Sequence, residues 1–177
     1  MATASHPYAP ESMDTALAEF TRAIELADAA GSHYVGGVAR VSAITLQSRT
    51  APARAALPLY VDVIDRWLEA ASWSHLLTTM RNLVPTLIEV GADAAAAQAL
   101  GAVTRPDQTP TYGQELERLS AAESVLRTRL GAADFEHQRA VGSTLDLAAS
   151  GRAAVTVIRG LLGSLQAVEP EEVVLDR

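Results

Sequence analysis

The feature that most constrains this chain is a spacing that returns every forty residues. Ala16, Phe20 and Ala23 align with Ala56, Tyr60 and Val63, and again with Ala96, Leu100 and Val103. Each triplet runs i, i+4, i+7, which places its members on one face of a helix. The small-large-small order gives a bulky plug beside narrow contacts, as closely crossing helices require. A fixed period with one such helix per unit predicts stacked helical hairpins rather than a mixed or β fold.

A second helix precedes the triplet in each complete unit. In the third unit Met80, Leu83, Val84 and Leu87 form an i, i+3, i+4, i+7 stripe, and Gly91 stands where a helix-ending left-handed residue is wanted. The matching stripe in the second unit, Arg40, Ala43, Ile44 and Gln47, is weaker. The joints correspond too: "AAGS" at 29–32 and "EAAS" at 69–72 each end one helix, with Ser32 or Ser72 available to cap the next. Composition agrees with helices. Apolar residues make up 49% of the chain but aromatics only 5%, and alanine, the best helix former, dominates.

These residues predict an all-α fold, a right-handed α-α superhelix of stacked helical hairpins with about seven to nine helices. The expected helices are 13–30, 33–48, 53–71, 74–90, 92–104, 111–130, 132–141 and 151–163. Residues 1–12 read as a flexible arm, 13–167 as one repeat domain and 168–177 as an acidic tail. Within the domain the units fall near 13–31, 32–71 and 72–105, followed by terminal helices over 111–163. "RPDQTPT" at 105–111 is the clearest break. Pro58 is expected in a first helical turn, whereas Pro85 should bend its helix. Leu116, Leu119, Leu126 and Leu130 form a seam with Glu123 at its edge, paired to Arg127.

The helix carrying Ala96 resembles the second helix of the tetratricopeptide repeat, with Gly91 five residues ahead. More specifically, "WSHLLTTMRNLVPTLIEVGADAAAAQALGA" (73–102) and "GAADFEHQRAVGSTLDLAASGRAAVTVIRGLL" (131–162) are similar to the helical-repeat tail of large bacterial signalling ATPases. Those are LuxR-type regulators of the MalT-like kind and related cyclase-linked ATPases. Phe135, Gly142, Leu145, Leu147 and Ala154 occupy places corresponding to the end of that tail. The resemblance implies a regulatory, non-catalytic role in transcription or signalling. The family's ATPase and helix-turn-helix domains are not encoded here, which implies a segment of a longer protein or a stand-alone relative.

By tetratricopeptide position the groove should be lined by Val38, Val41, Thr45, Thr78, Arg81 and Ile88, with Tyr34 and Trp73 near its edges. A mostly apolar groove with one arginine suits an amphipathic helix or a small apolar effector. The alternative is that neighbouring or terminal helices fill it. The expected partner is a protein, in the same polypeptide or outside it, or that effector; a homodimer joined through alanine-rich faces is the structural alternative.

Other classes fit poorly. The net charge is −7, and Arg118, Arg127 and Arg129 alternate with Glu115, Glu117 and Glu123, so no basic face invites nucleic acid. There is no cysteine, and no apolar run of signal or transmembrane length, which leads us to expect a cytoplasmic chain without membrane contact. "GSHYVGG" at 31–37 has phosphate-loop glycines without the Lys and Ser/Thr or the preceding strand. His6, His33, His75 and His137 lack metal-ligand spacing, although His33 and His75 could approach each other. Asp62, Asp65 and Glu69 share a face that reads as solvated. No cofactor, metal or catalytic residue is expected, and the chain reads as a non-enzyme.

Overall fold

The computed structural model describes residues 10–50 and 52–166, with side chains from Met13 to Gln47 and from Pro52 to Ser164. Among the described residues there are eight α-helices, one 3-10 turn and no strand. The helices are α1 (Pro10–Ala29), α2 (His33–Thr50), α3 (Leu57–Glu69), α4 (Trp73–Glu89), α5 (Asp93–Val103), α6 (Gly113–Leu130), α7 (Ala132–Thr144) and α8 (Leu147–Gln166). A 3-10 turn over Ala53–Ala56 leads into α3, which places Pro58 in the first turn of that helix. There its missing N–H leaves no bond unmade. Residues 1–9 of the expected arm and the acidic tail lie outside the described residues, and α1 already begins at Pro10.

Three turns are built alike. After α1, Ser32 N–H donates to Ala27 O and Gly31 N–H to Asp28 O; after α3, Ser72 donates to Trp67 and Ala71 to Leu68. After α4, Ala92 donates to Leu87 and Gly91 to Ile88. This paired arrangement closes a helix on a residue with positive φ. Gly31 and Gly91 hold that position at φ 65° and 80°, whereas Ala71 holds it at 48° against the cost of its Cβ. Ser72 is the residue preceding α4, but its hydroxyl bonds His75 Nδ1 at 2.9 Å instead of capping the backbone.

The core centres on α5, which is apolar apart from Asp93 and Gln98 and touches α4, α6, α7 and α8. Met80, Leu83, Val84 and Leu87 of α4 are fully enclosed, and Arg40, Ala43 and Ile44 of the weaker stripe also face inward. The triplets differ. Ala56, Tyr60 and Val63 are buried, as are Ala96, Leu100 and Val103, but Ala16, Phe20 and Ala23 are only half-buried. Helix α4 runs unbroken through Pro85 to Glu89.

The last three helices pack back on α3, α4 and α5. Helix α8 packs on α3, α4 and α5 and buries Ala154, Val155 and Ile158. It starts at Leu147, four residues before the expected start, because Asp146 Oδ1 accepts the Ala149 N–H at 2.6 Å. Helix α7 crosses α5 almost backbone to backbone. A Cβ on Gly101 would stand 2.1 Å from Arg139 O, and one on Gly142 would stand 1.9 Å from Gln98 O. In the α6 seam Leu119 and Leu126 are buried, whereas Leu116 is exposed. Glu123 sits at the edge, bonded to Arg127, whose guanidinium covers the enclosed Phe135 ring at 4.5 Å.

Candidate functional site

The face expected to form a groove divides into three parts. Along the outer side of α2, Tyr34 is 62% exposed, Val35 51% and Val38 41%, while Val41 is half-buried. The Tyr34 ring meets His75 of α4 edge-on, with centroids 5.2 Å apart. His75 in turn stacks on the buried Trp67 at 4.7 Å. Trp67 is fixed by its Nε1–H bond to Thr79 and lies where a Cβ on Gly37 would be. An exposed tyrosine thus rests on a pair of rings anchored in the core. Trp73 at the start of α4 is 49% exposed, and Thr78 lies open with its hydroxyl on Ser74 O.

The second part is covered, which corrects the expected groove. Arg81 and Ile88 are buried. Arg81 pairs with Glu115 at 3.2 Å and donates to Thr109 O, so the 105–112 loop and the start of α6 lie over it. Farther along, Arg129 donates to Ile88 O at 2.8 Å and pairs with Asp93. Terminal helix α6 therefore occupies this stretch of α4. The physical reason lies in two ionic ties, Glu115 of α6 to Arg81 of α4 and Arg129 of α6 to Ile88 O and Asp93.

The third part is a cleft of 400 Å³. Among the described residues it is lined by Thr45 of α2, Tyr60 of α3, Arg118 of α6, and Asn82, Pro85, Thr86 and Glu89 of α4. Its walls are polar, contrary to the apolar lining expected from sequence. Tyr60 is 2% exposed; its hydroxyl donates to Asn82 O at 2.9 Å and accepts from Thr86 Oγ1 at 3.3 Å. Burial pushes the Tyr60 phenol up to about 12, against the smaller lowering effects of the Thr86 hydrogen bond and the Arg118 charge, while the Glu89 charge adds slightly to the rise. Arg118 Nη2 donates to Asn82 Oδ1 at 2.7 Å. Of the expected groove residues, only Thr45 lines this cleft.

The acidic face of α3 is not simply solvated. Asp62 bonds the buried Arg40 and also Arg66, and Arg40 reaches Asp28 of α1 at 2.7 Å. Asp65 pairs with Arg159 of α8 at 2.8 Å. The bond from Arg40 holds the Asp28 carboxyl below its ordinary value, against a smaller opposing effect of burial. Burial alone would lower the Arg40 guanidinium, but its bonds to Asp28 and Asp62 outweigh that and shift it upward. These charges join helices. Arg40 occupied an inward position of the weaker stripe, and that was the available signal that it needed carboxylate partners.

Among the described residues, no group of three or more His, Asp or Glu side chains could hold a metal ion, and no helix is long and apolar enough to cross a membrane. His75 lies between the Tyr34 and Trp67 rings. Comparison with protein-family models, curated proteins and solved structures finds no match.

Proposed function

We propose that the chain is a non-catalytic, partner-binding helical-repeat module. In this reading α1–α5 form a short tetratricopeptide-like superhelical array, and α6–α8 cap it. The forty-residue triplet and the three like-built turns support the array. The pattern resemblance of 73–102 and 131–162 makes the module the sensor or regulatory part of a transcription regulator or signalling ATPase.

The single observation that carries binding is the outer stripe of α2. Tyr34, Val35 and Val38 stand together in water on one helix, and Tyr34 rests on the anchored His75–Trp67 pair. Contiguous exposed apolar side chains mark interaction surfaces, and an immobilised aromatic loses little freedom on docking. An apolar stripe of this kind accepts the apolar face of a partner helix.

A photo-crosslinking residue placed at Val38 in cells should yield a discrete adduct. The partner, once identified, should bind the purified wild-type protein and not the Tyr34→Asp, Val38→Asp variant. Equal binding to both proteins would overturn the assignment of the stripe. The homo-oligomer alternative is favoured by α1, whose triplet remains half-buried. Light scattering that finds a monomer across a wide concentration range would remove that alternative.

A further inference from the structure

The polar cleft lies apart from the α2 stripe and does not depend on the reading of that stripe. Two opposite charges line it. Arg118 donates a hydrogen bond to the Asn82 amide oxygen, yet neither Arg118 nor Glu89 takes part in an ion pair among the described residues. They therefore share one hollow without neutralising each other. Both act on the same buried phenol, the Arg118 charge lowering the Tyr60 pKa and the Glu89 charge raising it, beneath the larger effect of burial. The floor is fixed, because Tyr60 and Thr86 are both buried and bonded to each other and to α4.

We infer that the cleft between α2, α3, α4 and α6 binds a small zwitterion of free amino-acid type, its carboxylate on Arg118 and its ammonium on Glu89. A volume of 400 Å³ is within the range of small-molecule sites and admits the larger amino acids. Charge selects the class. A simple carboxylate drawn to Arg118 also meets the Glu89 carboxylate, and a simple amine drawn to Glu89 meets the guanidinium. A molecule carrying both charges gains both attractions and avoids both repulsions. The Tyr60 and Asn82 edges and the Pro85 ring then face its side chain.

The test is an NMR titration of the isotopically labelled protein with the free L-amino acids, followed by the carboxylate-only and amine-only analogues of the tightest binder. Saturable shifts at Tyr60, Asn82 and Thr86 are expected with the zwitterion. Each analogue should bind at least about tenfold more weakly, as should the Arg118→Gln and Glu89→Gln variants, since each removes one charge-assisted contact. Both residues are exposed, so thermal melts of the variants should match wild type and separate lost binding from lost folding. No saturable shift with any amino acid up to ~10 mM, where even millimolar binding would register, overturns the inference. So does an analogue that binds as well as the zwitterion, or binding that both variants retain.

Discussion

The triplet starting at Ala16 and the triplet starting at Ala96 have the same spacing and different surroundings. Around α5, four helices enclose Ala96, Leu100 and Val103 so completely that none is more than 1% exposed. Around α1 the principal neighbour is α2, and Ala16, Phe20 and Ala23 stay half-buried. The means of attachment differ as well. At α5 the contact is apolar and backbone-close, through Gly101 and Gly142. At the α1–α2 hairpin it runs through an ionic lattice of Asp28, Arg40, Asp62 and Arg66, with the Gly37–Trp67 contact beside it. A repeated motif thus fixes which face turns inward, whereas the number of neighbours fixes how much that face contributes.

The sharpest way to break this comparison is at the α5–α7 crossing. Gly101→Ala and Gly142→Ala each drive a methyl into a backbone carbonyl that cannot swing aside. Each should cost about 3 kcal/mol or more, at the upper end of overpacking effects. Gly160→Ala, where nothing lies within 4 Å, should instead stabilise by roughly 0.5–1 kcal/mol through helix propensity. Denaturant midpoints give the comparison directly. Equal midpoints for Gly101→Ala and Gly160→Ala would mean that the close crossing is wrong.

The triplets themselves come next. Leu100→Ala empties an enclosed site and should cost about 3 kcal/mol. Phe20→Ala removes a larger side chain, yet should cost only about 1–2 kcal/mol because part of that ring already meets water. If Phe20→Ala proves the more damaging, α1 is covered by something beyond α2, and self-association becomes the first thing to measure. Arg40→Leu should follow at about 2 kcal/mol, below the range for a fully buried pair because Asp28 and Asp62 keep partial access to water. Hydrogen exchange should show its loss concentrated in α1 and α2, with α5 amides almost unchanged.

Much of this contrast could be read from the residues. Apolar periodicity located eight helices to within a few residues at most ends, and positive-φ glycines marked two of the three like-built turns. The α8 start was missed because Asp146 sits in an otherwise featureless "STLDL", although an aspartate three residues before a backbone donor is a capping signal. The groove was half legible. Helical register put Tyr34, Val38 and Thr45 among the groove-lining residues, and all three are exposed, but register within α4 cannot reveal that α6, more than thirty residues later, lays Glu115 against Arg81. The polar cleft was illegible for the same reason: Thr45, Tyr60, Glu89 and Arg118 come from four helices, and only their packing makes them neighbours. Local chemistry is written locally, while coverage depends on long-range closure.

The smallest expected effect concerns acid. Asp28 has its folded-state pKa lowered, first by the bond from Arg40 and then by the Arg40 and Arg66 charges, against the opposing effect of burial. A carboxylate of lowered pKa adds stability that is fully present above its ordinary value of 3.8 and fades as pH falls through the folded-state value below it. The carboxylate is one-third exposed, so solvent screens much of the interaction and the loss should be modest. Its location matters more than its size. As pH falls below 3.8, hydrogen exchange in α1 and α2 should quicken relative to α5, because Leu100 and the Gly101–Gly142 crossing contain nothing that titrates. Asp28→Asn should abolish most of that difference at a small constant cost. Uniform acid loosening of all helices, unchanged in the Asp28→Asn variant, would show that the N-terminal hairpin is held by packing rather than by its ionic lattice.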